Sequence, residues 1–162
     1  MEKESGSREN KLSCLQAALR ILTSPKSSHQ LREYLVKKGY EEDEISKVIE
    51  ELKEKRLLND ERMFYHHCDF LYRKKHFGRM RMRYELVRLF GKELIDELFV
   101  GAIEEYDFKK TAVELTIMFF KAKTANDIDV SKKDSVARHL ALYGFSAEEI
   151  RYAVNYVISL KK

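Results

Sequence analysis

The chain has 162 residues, 44% of them hydrophobic and 36% charged, with a formal net charge of +4. That length suits one ordinary domain or several small modules, and so much charge fits long solvated helices better than sheets. No apolar run is long enough to span a membrane, no apolar leader-like stretch opens the chain, and the two cysteines, Cys14 and Cys68, have no framework spacing. These features argue against membrane and disulfide-scaffold classes, and a reduced, cytoplasmic setting is expected.

Residues 1–11 are polar and aperiodic and read as a disordered tail. From Leu12 to Leu22, apolar residues recur at helical spacing, with Leu15, Ala18, Leu19 and Leu22 expected on the buried face. Pro25 lies in the turn that follows, where it breaks nothing. Ser27 with Gln30 has the spacing of a capping box and predicts the start of a second helix. Its core positions are Leu31 and Leu35, and Gly39 supplies the positive φ that ends it. Tyr40 then covers the core. A third helix follows with Ile45, Val48, Ile49 and Leu52 inward. The acids Glu41, Glu42, Asp43 and Glu44 at its start suit the helix dipole better than a metal.

A fourth segment, Glu61 to Lys75, places Phe64, Cys68 and Leu71 on one face. The window Tyr72 to Lys92 then holds eight basic residues and one acidic one, about +7 on a chain of +4. Met82, Leu86 and Leu89 face inward there, which puts Arg81, Tyr84 and Arg88 on an outward stripe, with Arg79 and Arg83 flanking the apolar face. Arg73, Lys74 and Lys75 end the preceding helix. Ile95, Leu98 and Phe99 mark a sixth helix. Phe108 to Ala122 is apolar almost all round, at Val113, Leu115, Ile117, Met118, Phe119 and Phe120, and is expected to be buried. Residues 123–130 read as a loop. Ser131 with Asp134, and Ser146 with Glu149, have cap spacing for the last two helices.

One repeat organises these elements. Leu31, Leu35, Gly39, Tyr40, Ile45, Val48, Ile49 and Leu52 recur as Val136, Leu140, Gly144, Phe145, Ile150, Ala153, Val154 and Val157 without a gap. Met82, Leu86, Ile95, Leu98 and Phe99 form a degenerate middle copy. Its turn glycine is displaced to Gly91 and its turn is expected to be one residue shorter. The expected fold is all-α: three tandem three-helix modules at 12–59, 60–106 and 107–162, stacked into an elongated, curved array.

Catalysis finds no support, since no Gly-rich phosphate loop, nucleophile elbow or zinc-protease motif is present. His66, His67 and Cys68 are neighbours on a helix. They point about 100° apart and cannot converge on one ion. No enzyme activity, metal or cofactor is expected. The concentrated positive charge is the footprint of a polyanionic or acidic partner, because like charges at helical spacing repel and need a reason to be there.

The first module, "LREYLVKKGYEEDEISKVIEELKEKRLLNDERMF", resembles the RecX family. The pattern is a helix, a Gly-aromatic turn, a helix, a leucine pair and an Asp-rich start to the next module. Here it is carried by Leu31, Leu35, Gly39, Tyr40, Ile45, Leu52, Leu57, Leu58, Asp60, Arg62 and Phe64. The central "FGRMRMRYEL" resembles the family's glycine-basic-Glu-Leu segment at Gly78, Arg79, Met82, Glu85 and Leu86, and "LALYGFSAEEI" fits the third module. Phe90-Gly91 departs from the family's Gly-Ile-type turn.

The resemblance implies a modulator that binds the RecA recombinase and its single-stranded-DNA filament. It would inhibit strand exchange, coprotease activity and ATP hydrolysis, and so affect recombination, DNA repair and the SOS response. Arg73, Lys74, Lys75, Arg79, Arg81, Arg83, Tyr84 and Arg88 are the candidate contacts with RecA or with single-stranded DNA, in a monomer without a membrane partner. The alternatives are a helix-turn-helix-type protein that reads DNA directly and a scaffold that binds protein without DNA.

Overall fold

A computed structural model describes residues 12–121 and 127–161; the expected tail at 1–11 and positions 123–126 of the expected loop lie outside the described residues. Among the described residues the fold is all-α, with nine α-helices and no strand. The chain divides into two compact units, one ending at Asp60 and the other beginning at Glu61.

The first unit holds α1 (Cys14–Ile21), α2 (Ser28–Lys37) and α3 (Glu42–Glu54). Two helices begin with reciprocal caps. The Gln16 and Gln30 amides donate to the Ser13 and Ser27 hydroxyls, while each glutamine side chain accepts from its serine's amide. Such caps satisfy amides that a helix start otherwise leaves orphaned.

The helix α2 ends in a Schellman turn at Gly39 (φ +78): the Gly39 amide donates to Val36 and the Tyr40 amide to Leu35. That φ is one L-residues rarely adopt, which explains the glycine. The core is Leu31, Leu35, Ile45, Val48, Ile49, Leu52 and Leu58. Burying each such side chain contributes roughly 1.5–3 kcal/mol. The helix α1 is rotated from expectation: Cys14, Ala17 and Ala18 are buried and Leu19 is exposed. Small side chains let α1 approach its neighbours closely, a gain that a count of large apolar residues does not register.

The second unit holds α4 (Asp60–Asp69), which begins at the boundary and runs into a π-helical turn (Phe70–Lys74), then α5 (Arg79–Phe90), α6 (Lys92–Ala102), α7 (Phe108–Phe120), α8 (Lys133–Leu142) and α9 (Ala147–Ser159). One hydrophobic cluster runs from Phe64 to Val157. The residues expected to form a second and a third module therefore draw on a common core.

The third copy of the repeat ends as the first does. Gly144 has φ +87, its amide donates to Ala141, and the Phe145 amide donates to Leu140. The middle copy differs more than its sequence offset suggests. Only Gly91 separates α5 from α6, where the outer pairs have four intervening residues, 38–41 and 143–146. The core register slips by one position, but α5 runs on through Phe90. At φ +83 and ψ 165, Gly91 sits in a region essentially reserved for glycine.

Two further expectations are corrected. Ser131 does not cap α8. It lies within a short 3-10 turn (Val130–Lys132), where its amide and hydroxyl both donate to Asp129. Nor is α7 buried all round. Thr111, Ala112, Leu115, Thr116 and Phe120 face the core while Ile117 and Met118 are exposed. The Thr116 hydroxyl donates back to the Ala112 carbonyl at 2.7 Å, and the Thr111 hydroxyl donates to Tyr72 at 3.1 Å. These bonds let two threonines occupy core positions without an unmet polar group.

Candidate functional site

The basic window begins on the π-helical turn. There Lys75 donates its amide to the Phe70 carbonyl, five residues back, at 3.2 Å. Arg73 pairs with Asp69 at 3.1 Å, and Asp69 also accepts from the Tyr106 hydroxyl at 3.0 Å. Both donors hold the Asp69 carboxyl below its ordinary range. The Tyr72 and Tyr106 rings stack at 4.2 Å and fix this corner. Lys74 and Lys75 make no ion pair among the described residues, and the Lys75 ammonium lies 5.5 Å from the Phe70 ring centre.

Helix α5 starts against the turn between α8 and α9. The Gly78 amide donates to the Tyr143 carbonyl at 2.8 Å and the Met80 amide to the Gly144 carbonyl at 3.1 Å. A side-chain carbon at Gly78 would come within 2.5 Å of the Gly144 carbonyl and the Phe145 nitrogen. So Gly78 and Gly144 are both small because two backbones touch there. Beside this junction Arg79 donates to Glu149 at 2.9 Å and stacks 5.0 Å from the Phe108 ring centre. The Glu149 side chain is only 4% exposed, and its second oxygen accepts from the Ser146 amide at the start of α9. Arg79 is thus half structural: it neutralises a buried carboxylate.

Farther along α5, Met82 and Leu86 are buried, Leu89 is half-buried, and Arg81, Tyr84 and Arg88 face outward, as the spacing predicts. Tyr84 is 58% exposed. The guanidinium carbons of Arg81 and Arg88 lie 5.7 and 6.0 Å from its ring centre. Glu85 accepts from both arginines, at 2.9 Å from Arg81 and 3.5 Å from Arg88. One carboxylate therefore aligns two forked cations around one aromatic ring. On the adjoining side, Arg83 and Lys92 both pair with Asp96 of α6. The structure thus brings Arg81, Tyr84 and Arg88 together, while Arg73, Arg79 and Arg83 each take a separate carboxylate.

Sequence reasoning missed these partner acids. Asp96 lies 13 residues from Arg83 and Glu149 lies 70 from Arg79. The helix-start spacing of Ser146 and Glu149 was one signal, and the four-residue spacings of Asp69 to Arg73, Arg81 to Glu85 and Lys92 to Asp96 were others.

The other candidates resolve simply. Cys68 is buried, and desolvation followed by the Asp69 charge pushes its thiol up to about 12. His67 bonds the Met63 carbonyl at 3.2 Å and packs on Phe90, while His66 is exposed. No metal-ligating cluster occurs among the described residues. In the acidic run, Glu42 pairs with Arg32, and Glu42, Asp43 and Glu44 occupy the first turn of α3. No helix among the described residues is long and apolar enough to cross a membrane.

Comparison with known proteins places this architecture. A family model described as "RecX, first three-helix domain" matches residues 14–52, which cover α1, α2 and most of α3. A regulatory protein RecX of Clostridium perfringens strain 13 is 33% identical over 135 residues, 81% of this chain and 63% of that protein. The chain belongs to the RecX family. It spans about 63% of the length of the C. perfringens relatives it matches. A regulatory protein RecX of Clostridium beijerinckii is 26% identical over 155 residues, 94% of this chain and 71% of that protein. The crystal structure of RecX from Lactobacillus salivarius superimposes with a TM-score of 0.66 at 18% identity, covering 89% of this chain and 94% of that one. That likeness concerns the fold. The matched residues 14–52 include the Schellman turn at Gly39.

Proposed function

We propose that this RecX-family chain regulates a RecA-type recombinase. It binds the recombinase and its single-stranded-DNA filament and lowers strand exchange, coprotease activity and ATP hydrolysis, thereby tempering recombination and repair. The observation that carries this reading is the outward stripe of Arg81, Tyr84 and Arg88 on α5, held in one geometry by Glu85. The name of the relatives, regulatory protein RecX, supports a regulatory role.

The chemistry is recognition without a covalent step. A guanidinium has five donors in a planar fork. Arg81 and Arg88 each turn one edge to Glu85, which leaves further N–H groups for a phosphate or carboxylate of the filament. Tyr84 adds a flat apolar surface between them, and Lys74, Lys75, Arg73, Arg79 and Arg83 extend the contact. The protein acts in the cytoplasm as a monomer. Its three helical modules (12–59, 60–106 and 107–162) engage the repeating filament at several points, so weak contacts add as avidity.

The test is RecA ATPase on single-stranded DNA with the protein titrated in. Inhibition at stoichiometric ratios is expected, and Arg81→Ala with Arg88→Ala should weaken it at least about tenfold, as losing two charge-assisted contacts implies. No effect of the unmodified chain would overturn the central claim. Undiminished inhibition by the folded double variant would remove these arginines from the contact.

A further inference from the structure

A second surface of the same unit lies outside the basic window. On α9, Tyr152 and Tyr156 stand one turn apart, are 48% and 45% exposed, and stack nearly parallel with ring centres 6.0 Å apart. They line a groove of 510 Å³ with Lys109, Glu148, Arg151 and Asn155. Lys109 reaches from α7, pairs with Glu148 at 3.0 Å and lies 5.6 Å from the Tyr152 ring centre. A second hollow, bounded by Arg79, Ser146 and Glu149, shares Lys109 and Glu148 with the first. The two hollows adjoin at the Lys109–Glu148 pair.

Neither tyrosine ring is needed in the core, which α9 fills with Ala153, Val154 and Val157. Each ring is nearly half exposed, and their parallel alignment offers a stacking surface to a third flat ring. Lys109 pairs with Glu148, the one carboxylate lining the groove, whose charge Arg151 and Arg79 also feel; Arg151 makes no ion pair of its own among the described residues, and the Asn155 amide offers a donor and an acceptor. Aromatic faces beside a cation and an amide are what unpaired nucleobases require: stacking for the ring, charge for the phosphate, and a hydrogen-bonding edge.

We infer that the outer stripe of α9 is a binding ledge for single-stranded nucleic acid, on which Tyr152 and Tyr156 stack successive unpaired bases while Arg151 meets the backbone. The ledge binds the strand itself, so this inference goes beyond the recombinase reading and does not depend on it. It also differs from a charge-only contact, because it distinguishes strands that carry bases from strands that do not.

The test uses fluorescence anisotropy with labelled oligothymidylate and an abasic strand of the same length. The unmodified chain should bind oligothymidylate about tenfold or more tighter than the abasic strand, the scale of aromatic stacking. Tyr152→Ala with Tyr156→Ala should erase that preference while leaving abasic binding unchanged, and Tyr152→Phe with Tyr156→Phe should keep it. The chain contains no tryptophan. Tyr152→Trp therefore installs a single indole, whose emission should be quenched by oligothymidylate and not by the abasic strand. Equal affinity of the unmodified chain for both strands, or an undiminished base preference in the folded alanine variant, would overturn the proposal. So would an unquenched indole with oligothymidylate bound. Recombinase inhibition that persists alongside any of these results would leave the regulatory reading standing and remove only the ledge.

Discussion

Replacing Gly78 with alanine tests the junction between α5 and the α8–α9 turn. The backbone there has φ −72 and ψ 164, which alanine adopts freely, so the cost is steric rather than conformational. The added carbon would lie within 2.5 Å of the Gly144 carbonyl and the Phe145 nitrogen, and backbone atoms cannot rotate aside. Overpacking of this kind costs typically about 1–3 kcal/mol. Relief requires the two backbones to separate, which lengthens the bonds from Gly78 to Tyr143 and from Met80 to Gly144. Each contributes about 0.5–1.5 kcal/mol. Together the substitution should destabilise by about 3 kcal/mol. For a unit on the order of 100 residues, that lowers the melting temperature by roughly 12 °C or more. Calorimetry with circular dichroism at matched concentration would measure it. Gly101→Ala is the control: it lies in α6, nothing stands within 4 Å of its added carbon, and helix propensity favours alanine. A Gly78→Ala protein that melts within about 2 °C of the unmodified chain would refute the reasoning, since that corresponds to well under 1 kcal/mol.

Two further substitutions and reagents probe other parts of the second unit and the core. Glu149→Ala leaves Arg79 without its buried partner and the Ser146 amide without its cap, and should cost about 2 kcal/mol, discounted for the half-exposed arginine; Glu149→Gln, which retains the cap, should cost less. Urea denaturation ranks the two, and equal losses would assign the whole effect to the ion pair. Cys14 and Cys68 should resist a thiol reagent at pH 8 in the folded protein, because burial raises both and both are buried in the core. Labelling should appear only on unfolding, and rapid native labelling of Cys68 would contradict its placement.

Much of this fold was legible because the repeat carries its own punctuation. Gly39 and Gly144 terminate helices with the same pair of hydrogen bonds, and Ser27 and Ser146 start them with reciprocal caps. Those are local devices, decided by residues a few positions apart. The outward stripe of Arg81, Tyr84 and Arg88 followed from helical periodicity alone. What failed depended on distance or on size. The burial of Cys14 and Ala17 in place of Leu19 reflects close helix approach, which hydrophobicity does not record. The two core threonines of α7 depend on hydroxyl bonds that no spacing announces. Ser131 does not cap α8 because Asp129, two residues earlier, starts a 3-10 turn that takes Ser131 in as a donor.

The carboxylates that hold the basic window also set how it responds to ionic strength. Asp69, Glu85, Asp96 and Glu149 between them engage six of the eight cations, leaving Lys74 and Lys75 without a carboxylate among the described residues. A polyanion sheds condensed counterions in proportion to the phosphates newly neutralised, with a logarithmic slope near 0.7 per phosphate for a single strand. Eight uncommitted cations would give a slope of roughly 6; two give one between about 1 and 2. The window therefore acts less as a charge reservoir than as a set of oriented forks, and its grip on an anionic partner should weaken by only about 25-fold per tenfold rise in salt, against roughly 10⁵-fold or more for eight uncommitted cations.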